Sequence, residues 1–162
     1  SRSVASYRVI APTSKTGIGT VLVGAGGPTT TGGSPMGGWV TTGGCSTGGR
    51  SMGGRIVSMV AADVDGGGPV ARLAGLVLIC YPLHPPGKPE RLRVEHLVDL
   101  HVPCLFISGT RDPFGSPDEL TEWTATIPAP VEHLWIEGGR HDLRGADDSI
   151  SAAVDDFVAR VC

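Results

Sequence analysis

The chain has 162 residues, 40% hydrophobic and 18% charged, with a net charge of −3. That length suits a single domain over residues 1–162 with a real core. The acidic balance and the lack of a basic cluster argue against a nucleic-acid surface, and no apolar run reaches the length of a membrane span.

The opening residues, Ser1-Arg2-Ser3-Val4-Ala5, do not lead into the apolar core of a signal peptide, so the expected setting is cytoplasmic. Two short β-like runs follow, Ser6–Ile10 and Thr20–Val23. The second ends in Gly24-Ala25-Gly26-Gly27, a turn whose backbone N–H groups could approach a ligand. Residues 24–54 hold 13 of the 25 glycines and six threonines, with no leucine, isoleucine or phenylalanine. Such a stretch offsets little ordering entropy by burial, and residues 28–48 are expected to be irregular loop.

Gly49-Arg50-Ser51-Met52-Gly53 matches G-x-S-x-G, a strand-to-helix turn that exposes a serine. Gly44-Cys45-Ser46-Thr47-Gly48 matches it too, but glycines follow Ser46 instead of an amphipathic run. After Ser51, Met52, Ile56, Met59 and Val60 recur at helical spacing. Past Gly66-Gly67-Gly68, Leu76–Cys80 is a continuous apolar run, as in a parallel strand covered on both faces. Residues 81–89 make a proline-rich loop containing His84, and a short helix is expected over Arg91–Leu100. Val102–Ser108 is a second buried strand, Pro117–Thr126 a helix, Val131–Ile136 a third strand and Ser149–Val161 an amphipathic helix. This alternation implies an α/β fold, a mostly parallel sheet with helices on both faces.

In such a sheet, ligand chemistry sits beyond the carboxyl ends of the strands. Ser51, Asp112 and His141 all fall there. A serine hydroxyl is a weak nucleophile and needs a base. His141 would take its proton, and Asp112 would hold the imidazole in the right tautomer. The backbone N–H of Met52 would meet the oxyanion, and the Gly24–Gly27 turn would supply a second donor through Ala25. His84 either lines the substrate pocket or holds its own loop. Asp142 is a rival to Asp112, Arg50 and Arg111 are expected in ion pairs, and His133 is expected to be structural.

The four cysteines, Cys45, Cys80, Cys104 and Cys162, make no C-x-x-C pair, which argues against a zinc site. Cys80 and Cys104 read as core thiols, and no disulfide is expected in a cytoplasmic protein.

Residues 48–143 resemble the dienelactone-hydrolase-like branch of the α/β-hydrolase family. The text that carries this is Gly48-Gly49-Arg50-Ser51-Met52-Gly53-Gly54-Arg55, the loop Tyr81–Pro89, Gly109-Thr110-Arg111-Asp112-Pro113-Phe114-Gly115 and Gly138-Gly139-Arg140-His141-Asp142-Leu143. The order Ser, Asp, His is the order of that family. The resemblance implies a serine hydrolase acting on a small-molecule carboxylic ester, thioester or lactone, without metal or cofactor. The chain departs from the pattern before the elbow. Its relatives carry a helix, a strand and another helix there, whereas 21 residues separate Gly27 from Gly49 here. That departure motivates a second expectation, a non-catalytic interaction domain. The sequence does not specify an oligomeric state.

Overall fold

The structure, a computed structural model, describes residues 46–63 and 73–162. The expectations for the strands at 6–10 and 20–23, for the turn carrying Ala25, and for the loop as far as residue 45 lie outside the described residues. The elements are β1 (Ser46–Arg50), α1 (Met52–Ala62), β2 (Gly75–Ile79), a 3-10 turn (Leu97–Asp99), β3 (Cys104–Gly109), α2 (Pro117–Thr124), β4 (Val131–Ile136) and α3 (Asp147–Val161). The four strands form one parallel sheet in the order β1-β2-β3-β4.

Strand residues alternate between the two faces, so each face has its own core. Val77, Ile79, Leu105 and Ile107 pack with Val154 and Phe157 of α3 on one face. Leu76, Leu78 and Phe106 pack on the other, with Val57 of α1 and Leu120 of α2. Full burial of side chains of this size stabilises by about 1.5–3 kcal/mol each. The continuous apolar run at Leu76–Cys80 reflects this double coverage. Helix α2 begins with a capping box: Ser116 Oγ accepts from the Glu119 backbone, while the Glu119 carboxylate accepts from Ser116 N–H at 2.9 Å.

Three sequence expectations need correction. Residues 46–48 are not loop but the buried first half of β1. Glycine is there for close approach, not for flexibility: a Cβ on Gly48 would lie 2.4 Å from the Val77 carbonyl oxygen. Close packing supplies what strand propensity lacks.

The expected helix over residues 91–100 is reduced to the turn Leu97–Asp99. Its backbone is committed to a neighbouring loop. Arg93 N–H donates to Leu83 O at 2.9 Å, and the Tyr81 hydroxyl donates to Arg93 O at 2.7 Å.

The periodic residues of α1 form its outward face. Met52, Ile56, Met59 and Val60 are each more than 40% exposed, and the buried face is Gly54, Val57 and Ser58. Small residues let the helix sit almost on β1: a Cβ on Gly54 would be 2.7 Å from the Gly49 carbonyl oxygen.

Cys80 and Cys104 are buried free thiols. Cys162, against expectation, is disulfide-bonded. Among the described residues no helix is long and apolar enough to cross a membrane.

Candidate active site

The site lies at the carboxyl ends of β1, β2, β3 and β4. Ser51 follows β1 directly, and its N–H donates to Ile79 O at 2.7 Å, so the ladder holds it to the last residue. Its backbone is left-handed, with φ 52° and ψ −124°. Such a conformation costs about 1–3 kcal/mol in a non-glycine residue. The first turn of α1 must pack back against the strand it came from: a Cβ on Gly49 would lie 2.6 Å from the Gly53 carbonyl carbon. Gly53 itself has open space around its Cα, so the second glycine of the motif is not a packing requirement among the described residues.

Ser51 stands at the start of α1 but its side chain caps nothing there. Its hydroxyl lies 2.8 Å from His141 Nε2 instead. His141 Nδ1 lies 2.8 and 3.0 Å from the two carboxylate oxygens of Asp112. A carboxylate only accepts, so Nδ1 carries the proton and Nε2 presents its lone pair. The Ser51 hydroxyl then donates to Nε2. These three sequence candidates are therefore joined in one directed chain of hydrogen bonds.

The loops carrying Asp112 and His141 are sewn together by their backbones. Arg111 N–H donates to Gly139 O at 2.9 Å, and Gly138 N–H donates to Thr110 Oγ1 at 2.8 Å. Gly109 permits this crossing, since a Cβ there would lie 2.2 Å from Gly139 O. Asp112 is buried, and its Oδ1 also accepts the Phe114 N–H at 3.0 Å. Asp142, the rival carboxylate, is turned outward to Arg144 at 2.7 Å.

Two contacts escaped sequence reasoning. Among the described residues Arg50 has no ion pair; its guanidinium donates to the His141 carbonyl at 2.9 Å, tying the end of β1 to the histidine loop. The Phe114 ring packs on the His141 imidazole with centroids 4.1 Å apart. Both partners are far apart in the chain or hidden in a loop, and no local pattern signals them.

Cys80 is a further neighbour. It follows directly on β2 with φ 51°, donates its N–H to Ile107 O at 2.7 Å and is fully buried. Burial pushes its thiol up to about 12, partly offset by Arg50, so it is protonated and no nucleophile.

The other candidates are placed as follows. Met52 opens α1, whose first turn holds no acidic side chain. Its N–H belongs to the positive end of the helix, beside Ser51. His84 is buried; its Nδ1–H donates to Pro85 O at 2.9 Å, and Nε2 faces Glu119 at 3.4 Å. His133 Nε2–H donates to Thr124 Oγ1 at 3.0 Å, and the ring stacks on Trp135 at 4.8 Å. A cleft of about 400 Å³ lined by Met59, Val60, Asp63 and His96 opens beyond the opposite end of α1 from Ser51.

A family model described as "Alpha/beta hydrolase domain" matches residues 41–157. The fold is similar to the esterase domain of a Rhodothermus marinus protein, with TM-score 0.54 and 13% identity over 71% of this chain and 60% of that one. It is likewise similar to Est1E from Butyrivibrio proteoclasticus, with TM-score 0.55 and 14% identity over 70% and 59%. An alpha-beta serine hydrolase homologue from Coxiella burnetii matches at TM-score 0.49 and 18% identity over 74% and 50%. The chain thus spans between 50% and 60% of the length of these structures. At such identities the likeness is one of fold; the family rests on the match that runs from residue 41 to residue 157, and by it the chain belongs to the alpha/beta hydrolase domain family.

Proposed function

We propose that the protein is a serine hydrolase that cleaves a carboxylic ester, thioester or lactone through an acyl-enzyme. The observation that supports this reading is the chain from Ser51 Oγ through His141 to Asp112, with both links at 2.8 Å. In this reading Ser51 Oγ attacks the acyl carbon while His141 Nε2 accepts its proton. The imidazolium then gives that proton to the departing alcohol or thiol. A water, deprotonated by the same nitrogen, releases the acid. Asp112 stays ionised throughout and stabilises the imidazolium.

The Met52 N–H is the proposed oxyanion donor. A second donor is assigned to Ala25 from the sequence alone. Each such donor is worth about 2.7–4 kcal/mol of transition-state stabilisation. Substrate contact by His84 would require Nε2 to turn from Glu119. The glycine-flanked text around Ser51, Asp112 and His141 supports placing the chain in the dienelactone-hydrolase-like branch.

A fluorophosphonate probe tests the proposal. It should label Ser51 in folded wild-type protein and fail on Ser51→Ala; a folded wild type that resists the probe counts against it. The rival reading, a non-catalytic interaction domain, draws on the exposed apolar side of α1. It gives no reason for a strained serine aligned on a histidine–carboxylate pair. A cytoplasmic setting remains part of the proposal. The disulfide at Cys162 weighs against it, and counting free thiols in protein taken directly from cells tests it.

A further inference from the structure

We propose that Cys80, Asp112 and His141 form a binding site for a thiophilic divalent cation such as zinc, and that a cation held there switches the Ser51 centre off. The binding half stands on geometry alone; the inhibitory half rests on the function proposed above.

The sulfur of Cys80, a carboxylate oxygen of Asp112 and a ring nitrogen of His141 all lie within 4.8 Å of one another. Zinc bonds of about 2.0–2.3 Å in tetrahedral geometry place ligand atoms about 3.3–3.7 Å apart. The Cys80 sulfur therefore needs to close on the other two by at most about 1 Å, while His141 Nδ1 and Asp112 Oδ2, now 2.8 Å apart, need to spread by about 0.5 Å. Cys80 is fixed in place by the end of β2 and by its bond to Ile107, and the proposed hydrolysis gives its sulfur no task. Asp112 Oδ1 is engaged by the Phe114 N–H, which leaves Oδ2 for the ion. Burial is what chiefly keeps the Cys80 sulfur protonated, with the guanidinium of Arg50 and the carboxylates of Asp112 and Asp142 acting beside it, so a cation bound directly to the sulfur is what would stabilise its thiolate. The His141 side chain is 26% exposed, so that side offers entry and a place for a water as fourth ligand. The combination of sulfur, nitrogen and one oxygen suits zinc or cadmium and disfavours magnesium or calcium.

The chemistry balances without a redox partner. The ion bonds to the Cys80 sulfur, whose proton leaves to solvent. It bonds to His141 through the Nδ1 lone pair, and the imidazole proton passes from Nδ1 to Nε2. Nε2 is then a donor. It can no longer accept the proton of Ser51, which is the step hydrolysis requires.

Cadmium titration of the purified full chain reads the binding directly, because a thiolate–cadmium bond gives an ultraviolet charge-transfer band. The band should saturate at a single equivalent, persist in Cys104→Ala, and vanish in Cys80→Ala and in the near-isosteric Cys80→Ser. Affinity should fall by at least ~10–100-fold in either Cys80 variant. Zinc should slow fluorophosphonate labelling of Ser51 in wild type, a chelator should restore it, and Cys80→Ser should keep its zinc-free rate. No band in wild type, or a band that survives both Cys80 changes, overturns the site. A Cys80-dependent band with unchanged labelling overturns the inhibition. Protein that the probe does not label even without zinc defeats the serine-hydrolase reading, while the cadmium band still decides the site.

Discussion

Helix α1 touches two serine–histidine pairs of equal length. At its start Ser51 Oγ lies 2.8 Å from His141 Nε2. Two turns later Ser58 Oγ lies 2.8 Å from His96 Nε2. The distances are the same and the chemistry is opposite. Asp112 claims the proton of His141 Nδ1, so Nε2 accepts from Ser51. Ser58 gives its proton to the Arg55 carbonyl at 2.8 Å, so it must accept from His96 Nε2–H. Ser58 is also fully buried, whereas Ser51 is half-buried at the mouth of the site. A third group sets which way the proton points, and of these two pairs it is the Ser51 pair whose direction fits the proposed hydrolase.

Removing each serine should separate the two pairs most sharply. Ser51→Ala is expected to lower kcat for an ester substrate by about 10⁶-fold. Ser58→Ala should leave kcat within a small factor of wild type. It should instead destabilise the fold by about 1 kcal/mol, because the half-buried His96 donor loses its nearer acceptor and keeps only the Tyr81 hydroxyl at 3.4 Å; denaturant melts alongside ester assays measure both. Equal losses of kcat in the two variants would erase the distinction.

Asp112→Asn should convert the first pair into a likeness of the second. The amide can donate toward Nδ1, the imidazole proton moves to Nε2, and Ser51 loses its base. A fall of about 10⁴-fold in kcat with an unchanged melting curve is expected; near-normal kcat would mean the carboxylate does not set the tautomer.

Arg50→Met removes the tie to the His141 carbonyl but no member of the chain of protons. Since misplacement by about 1 Å can cost ~10²-fold, a loss of about 10–100-fold in kcat is expected, with little change in KM. A variant as active as wild type would show that the sewn loops hold His141 unaided.

The smallest effect concerns pH. Burial lowers the pKa of His96, reinforced by Arg55, and burial alone lowers that of His133. Both are neutral in the fold and take up protons more readily when unfolded. Their contribution is therefore complete above the ordinary value of 6.5 and is lost as pH falls below it toward the lowered folded values. Denaturant midpoints should decline over that window, and His133→Gln should make the decline shallower.

Much of this was readable from the chain. Leu76–Ile79, Cys104–Ser108 and Val131–Ile136 announce themselves as strands through continuous or near-continuous apolar character. The stripe Ile150, Val154, Phe157 and Val158 of α3 is the face that is buried. Those signals are local, arising from one element's own exposure to the core. β1 was misread because the need for glycine at Gly48 and Gly49 is a relation between three elements. The buried face of α1 is hidden for the same reason: the helical spacing of its large apolar residues marks a helix, yet the buried residues are Gly54, Val57 and Ser58. Ser51, Asp112 and His141 could be listed from their places at strand ends. The grip of Arg50 and the ring of Phe114 on His141 could not, because 91 residues separate Arg50 from the carbonyl it holds.

The parallel ladder carries one last implication. Ser46 pairs with Gly75, Leu76 with Cys104 and Cys104 with Val131, without a bulge in the recorded register. The sheet is in effect a ruler marked every ~3.3 Å, and the rim where its strands stop is level only while all four keep the same count. Deleting a single residue inside β3 would pull Asp112 down one mark and turn every following strand side chain to the opposite core. Evolution of this scaffold can therefore lengthen its loops freely, but it can alter the strands only in steps that keep the rim level.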